Sequence, residues 1–170
     1  MTRAKVFVVL VTILLAVGIR DAFAGASFSL NDTTLSIRDV LVVLTDEFFG
    51  GRTKALKILF TTEPLTRDDR VASPRDLGKA RNDRHVYLVL MLDAAGAIGQ
   101  VNLTIVVPGQ TVTRTIAWRP DDLRRFASDY AYDGQRLRLR STGTFSDPSS
   151  DPQPFRLTWN VDLDVPVRTP

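Results

Sequence analysis

The residue types that carry most enzymatic chemistry are scarce in this 170-residue chain, which has one histidine and no cysteine. A serine–histidine–aspartate triad would have to use His85, which begins an apolar, strand-like segment. The Gly-x-Ser-x-Gly motif, which presents a nucleophilic serine in one large class of hydrolases, does not occur. We therefore interpret His85 as an ordinary residue at the start of a strand.

The sequence also contains no defined motif for metal binding or for catalysis by carboxylates. Zinc and copper sites usually draw on histidine and cysteine, so we expect no metal and no cofactor. Paired carboxylates can cleave a glycosidic bond, but the spacing of the acidic residues singles out no pair. No catalytic residue is assigned.

A row of arginines is the most distinctive pattern in the chain. Arg136, Arg138 and Arg140 alternate with leucines, which places their guanidinium groups on one strand face, about 6.6 Å apart. Such a row can bind an anionic polymer or a carboxylate-rich partner, and Arg124 and Arg125 can extend it. These five arginines are the predicted binding residues.

A structural interpretation of the same arginines stays open. The segment Phe155–Val165 carries Asn160, Asp162 and Asp164 on one face. If it pairs antiparallel with the arginine strand, these residues lie opposite the arginines. Cross-strand pairs of this kind stabilise a sheet by about 0.2–1 kcal/mol each.

Composition and charge indicate one globular domain and predict no nucleic acid as a partner of the whole molecule. Apolar residues make up 44% of the chain, enough for a core. The formal charge is +3, and the first 24 residues hold three of the 22 basic but one of the 19 acidic residues, which leaves +1 for the rest. A chain so near neutrality gives no electrostatic case for nucleic acid as a partner of the whole molecule.

The first 24 residues have the three parts of a secretory signal peptide. Arg3 and Lys5 form a basic start, an apolar run of about 14 residues follows, and residues 22–24 match the small-x-small cleavage pattern. The run is shorter than the ~20 residues that span a bilayer. We expect cleavage after Ala24, no membrane span after cleavage, and a periplasmic or secreted domain over residues 25–170.

Period-two alternation dominates the remainder of the chain and is typical of strands with one buried face. It is clearest in Phe155–Val165, and the Asp133-Gly134 pair predicts a tight turn. The fold class predicted is all-β, an antiparallel sandwich or small barrel of about seven strands with one or two short helical turns. The predicted strands are Thr34–Leu44, Ala55–Thr61, His85–Leu92, Ala97–Val107, Thr111–Trp118, Gln135–Thr144 and Phe155–Val165, with a short first strand at Phe28–Leu30.

Residues 63–84 break this pattern with a polar, charge-mixed stretch. A connection this long is uncommon in a compact domain and is often functional or mobile. We expect a solvated excursion with one helical turn, capped by Ser73. A second helical turn is predicted to start at Pro120.

The layout resembles small exported bacterial all-β proteins of unassigned function. The features that carry the resemblance are the leader, Ala55-Leu56-Lys57, the Thr-Thr-Glu-Pro-Leu segment at 61–65, the Asp133-Gly134 turn and the alternating strand Phe155–Val165. The resemblance implies a periplasmic or secreted β domain and carries no site residues across.

These features favour an exported, non-enzymatic binding or interaction domain. Its partner would be an unknown protein or an anionic envelope component, met through the arginine row or residues 63–84. Two alternatives stay open. A carboxylate-dependent hydrolase, with residues 63–84 as a lid, requires an acid-lined cleft with shifted pKa values. A small barrel that binds an apolar ligand requires an internal cavity.

Overall fold

The computed structural model describes residues 25–48, 53–117, 120–147 and 155–169. Within them the chain forms ten strands and two short helices, which confirms the predicted all-β class. The strands are β1 (Gly25–Leu30), β2 (Thr33–Ser36), β3 (Asp39–Phe48), β4 (Thr53–Thr61), β5 (His85–Leu92), β6 (Ile98–Val107), β7 (Gln110–Ala117), β8 (Asp129–Tyr132), β9 (Arg136–Asp147) and β10 (Phe155–Arg168). The helices are α1 (Arg67–Val71) and α2 (Pro120–Phe126).

The predicted signal peptide and its cleavage site at Ala24 lie outside the described residues, so export stays a prediction. Among the described residues, neither helix has the length and apolarity that crossing a membrane requires. The short first strand adds one to the predicted seven, and two more arise because the segment from Thr34 to Leu44 divides into β2 and β3 and because β8 was not anticipated.

The strands form one open mixed sheet with two antiparallel parts. One part has the order β2-β1-β10-β9-β8, and the other has the order β3-β4-β5-β6-β7. The end of β10 joins them by running parallel to β3, where Val167 pairs with Val42. This parallel pair departs from the predicted antiparallel arrangement, and β10 can form it because its 14 residues extend beyond its pairing with β9.

The two parts face each other across one apolar core. The inward residues of β10 are buried as their alternation predicts, from Phe155 to Val165. Across the interior, the rings of Phe28 on β1 and Phe60 on β4 meet edge to face, with centroids 4.9 Å apart. Side chains from both parts belong to one buried cluster.

Helix α2 begins at Pro120 as predicted and closes one end of this core. Its last residue, Phe126, is buried, and its carbonyl accepts a hydrogen bond from the Ser141 hydroxyl. That hydroxyl in turn accepts the indole N–H of Trp159 at 2.9 Å. Gly143 gives the indole room, because a Cβ there would lie 2.2 Å from the Trp159 ring.

Residues 63–84, called the strap below, do not form the predicted solvated excursion. The strap packs on the outer side of β3, β4 and β5, where Leu65 and Leu77 join Val43 and Leu59 in a second buried cluster. The expectation of a solvated segment was wrong because it weighed the strap's many charges and overlooked these two leucines.

Side chains outside the strap also hold it in place. The Tyr87 hydroxyl donates to the Leu77 carbonyl at 2.8 Å, and the Arg168 guanidinium donates to the carbonyls of Arg70 and Ala72. The helix within the strap is α1, whose N-cap is Thr66, whereas Ser73 caps only a turn. The strap is therefore a docked layer of the domain.

Candidate functional site

The arginines of the predicted row lie on the outer face of β9, and each of them is ion-paired. The partners are aspartates on the two flanking strands, β10 and β8. Asp162 and Asp164 thus pair with the row as the structural interpretation expected, whereas Asn160 lies opposite Thr142 and Asp129 of β8 was not anticipated. The pairs are Arg136–Asp164, Arg138–Asp129 at 2.9 Å and Arg140–Asp162 at 3.1 Å.

These ion pairs leave the arginines available to a partner. The side chains of Arg138 and Arg140 are 53% and 60% exposed. A guanidinium group has five N–H donors, and one aspartate occupies only some of them. Exposed ion pairs of this kind typically contribute about 0–1 kcal/mol to stability, so the row is not needed to hold the sheet together.

The two further arginines of the prediction lie on α2, away from the row. Arg124 and Arg125 are exposed, and neither makes an ion pair with a described residue. Arg125 lines a groove together with Thr142 and Thr144 of β9. The structure thus brings Arg125, but not Arg124, beside the strand that carries the row.

Two rows of hydroxyl and amide side chains continue the outer face beyond the arginines, and sequence reasoning missed them. Register partners on four neighbouring strands form each row, with strands about 4.8 Å apart and rows about 6.8 Å apart. From β2 through β1 and β10 to β9, the rows are Ser36, Ser27, Asn160, Thr142 and Thr34, Ser29, Thr158, Thr144.

Most of these side chains have no hydrogen-bond partner in the part of the chain that the structure describes. Ser29 is the exception, because its hydroxyl donates to the Asn31 carbonyl at 3.1 Å. The other seven make no side-chain hydrogen bond to any described residue. We call the outer side chains of β2, β1, β10, β9 and β8, with both rows and the arginines, the polar face.

The strap forms a cleft of about 510 Å³ whose walls carry several carboxylates, the kind of site that the hydrolase alternative requires. Two of these carboxylates already hold Arg81, which lies 2.5 Å from Asp69 and 2.6 Å from Asp83. The side chains of Arg81 and Asp69 are each only 7% exposed. The innermost charges of the cleft are therefore committed to one another.

Two carboxylates of this cleft, Asp69 and Asp76, have lowered pKa values. Burial by itself would raise the pKa of Asp69, but hydrogen bonds from Thr66 and the charge of Arg81 outweigh it and lower the pKa below 3.8. Hydrogen bonds from Ser73 and Lys79 also lower the pKa of Asp76. A carboxylic general acid needs a raised pKa, which is the opposite direction.

Acidification is expected to weaken the fold through Asp69. Because its folded pKa is lower than its unfolded pKa of 3.8, its stabilisation is complete above that value and is lost as the pH falls through the folded pKa. Urea unfolding from about pH 7 to about pH 2 should show this loss, and Asp69→Asn should flatten it. The exposed control Asp32→Asn should keep the native dependence of the free energy of unfolding on pH. If this dependence is the same in all three proteins, the assignment to Asp69 is wrong.

His85 has a structural setting. It is buried at the start of β5, its Nδ1 lies 2.8 Å from the Asp83 carbonyl, and its ring meets the Tyr87 ring edge to face. These contacts fit the interpretation as an ordinary strand-end residue. Within the described ranges, no group of three or more histidines, aspartates and glutamates is placed to hold a metal ion.

Comparison with known proteins gave no match: no family model, no curated protein and no solved structure resembles this chain significantly. The geometry of the chain itself therefore carries the functional argument. It offers three distinct features: the polar face, the strap with its cleft, and the groove between α2 and β9.

Proposed function

We propose that the chain is an exported binding domain whose polar face contacts an extended envelope polymer, rich in hydroxyl groups and bearing acidic groups. One observation carries this proposal. Two rows of polar side chains run across four strands and continue into exposed arginines on the same sheet face, and seven of the eight make no side-chain hydrogen bond to a described residue.

The chemistry of the polar face suits such a polymer. Each serine or threonine hydroxyl can donate one hydrogen bond and accept others, as the hydroxyl groups of a polysaccharide do. The regular spacing of the strands and of the two rows arranges these side chains in an array. An extended polymer with a repeating unit can contact several positions of the array at once. Many weak contacts then add up by multivalency.

The charges of the polar face favour an acidic polymer. The row arginines and Arg156, four cations in all, exceed the three aspartates with which the row is paired. Arg156 is exposed and makes no ion pair with a described residue. Guanidinium groups bind carboxylate and phosphate in bidentate fashion, so the free donors of this row supply the anion contacts.

Neutralising the row is expected to weaken polymer binding. The triple variant Arg136→Gln/Arg138→Gln/Arg140→Gln should bind peptidoglycan or alginate at least about tenfold more weakly in a co-sedimentation assay, because it loses several charge-assisted hydrogen bonds. The native protein's binding should also weaken at high salt. The melting temperature of the triple variant should differ little from that of the native protein, because exposed ion pairs contribute little to stability.

A matched triple variant on the opposite side of the domain controls for net charge. Arg67, Arg75 and Arg84 are exposed and lie in the strap, and their replacement by glutamine should leave binding unchanged. An ordinary solvated sheet face is polar too. If both triple variants bind equally well, or if the native protein binds neither polymer, the polar face is only an ordinary solvated sheet face.

A further inference from the structure

We propose that the groove between α2 and the end of β9 binds an extended peptide, which adds to the sheet as a strand. This site is separate from the arginine row and goes beyond the polymer proposal. The proposal depends on a difference in length between two paired strands, β8 and β9. Strand β9 runs to Asp147, but β8 pairs only with its residues 137–140. Among the described residues, β9 has no strand neighbour on this side after Arg140.

The backbone of β9 presents hydrogen-bonding groups at this open edge. The Ser128 N–H, next to β8, donates to the Arg140 carbonyl at 2.9 Å, so the backbone groups of Arg140 point toward the β8 side. In an antiparallel ladder every second residue points the same way. The N–H and C=O of Thr142 and Thr144 therefore point into the groove, while those of Gly143 point toward β10.

The groove provides side-chain contacts beside these backbone groups. It has a volume of about 240 Å³ and is lined by the aromatic rings of Phe126, Phe145 and Trp159. Ile116 of β7 and two charged residues of α2, Asp122 and Arg125, also line it. An added strand would place alternate side chains against the aromatic rings and its polar positions beside α2.

A peptide fits this groove because a strand, β8, already pairs with the preceding part of the same edge of β9. Strand β8 occupies the same edge of β9 over Leu137–Arg140, and the groove continues this line. Strand addition uses main-chain N–H and C=O groups, which a peptide has and a polysaccharide lacks. Unpaired edges of this kind are templates for another chain.

A proline substitution tests strand addition. Thr144→Pro removes the N–H that faces the groove and leaves the pairing of β9 with β10 intact, since proline is tolerated where the N–H points away from the sheet. A fluorescein-labelled octapeptide of alternating valine and threonine is the probe, measured by fluorescence anisotropy. We expect it to bind the native protein and to bind Thr144→Pro at least about tenfold more weakly.

Thr144→Ala is the matched comparison, because it removes the side chain but keeps the backbone N–H; it should weaken peptide binding markedly less than Thr144→Pro does. The amides of Thr142 and Thr144 should exchange with solvent more slowly when peptide is bound. If Thr144→Pro does not fold, the same octapeptide N-methylated at alternate residues should fail to bind the native protein. No binding at millimolar peptide, equal binding of the methylated peptide, or equal weakening by both substitutions would overturn the proposal.

Discussion

Arg81→Leu is expected to lower the free energy of unfolding by about 3–5 kcal/mol, the cost of removing one partner from a buried ion pair. Its guanidinium lies between the carboxylates of Asp69 and Asp83, and leucine would leave both without their cation. Asp69 cannot regain water readily, because its side chain is only 7% exposed. Urea unfolding near neutral pH measures the change.

Two further variants separate this effect from a general loss of charge. Arg75→Leu, an exposed change in the same strap, should alter stability by no more than about 0.5 kcal/mol. The double variant Asp69→Asn/Arg81→Leu should lose less than the sum of its single variants, because the two groups interact directly. A loss below about 1 kcal/mol for Arg81→Leu would show that the pair is hydrated and unimportant.

Leu77→Ala is expected to cost about 2–5 kcal/mol, as truncation of a fully buried leucine does. Leu77 packs against Val43 and Leu59 on the outer side of the sheet, and alanine would leave a cavity between the strap and these strands. Thermal or urea unfolding gives the size of the loss. Hydrogen exchange across residues 63–84 shows whether the strap loosens first.

The control for Leu77 lies in the same strap. Val71 is 71% exposed, so Val71→Ala should change the free energy of unfolding by no more than about 0.5 kcal/mol. If Leu77→Ala is equally mild, the strap does not pack on the sheet in solution. The two variants together therefore test the second buried cluster directly.

Local patterns predicted most of the fold because they need no knowledge of the partner strand. Alternation alone placed Leu137 and Leu139 inward and the row arginines outward, and the proline signal placed the start of α2. The strap was mispredicted because Leu65 and Leu77 are isolated in a charged stretch and show no periodicity. A usable signal lay elsewhere: apolar residues on both faces of β4 indicate a sheet covered on both sides.

The candidate sites could not be predicted from single strands, because they are formed by the register and the ends of neighbouring strands. Alternation put Asn160 on an outer face, but only the register of β1, β10 and β9 shows that it belongs to one row with Ser27 and Thr142. The open edge depends on where β8 ends relative to β9, a difference of a few residues. Boundaries and register are set by tertiary packing, so neither feature could be predicted from the sequence.

The position of β10 has a consequence for the order of folding. It pairs with β1, β9 and β3, so the last strand of the chain completes the pairing of the first. Contacts between such distant residues close large loops and slow folding. A growing chain thus lacks the strand shared by both parts of its sheet until β10 has been made.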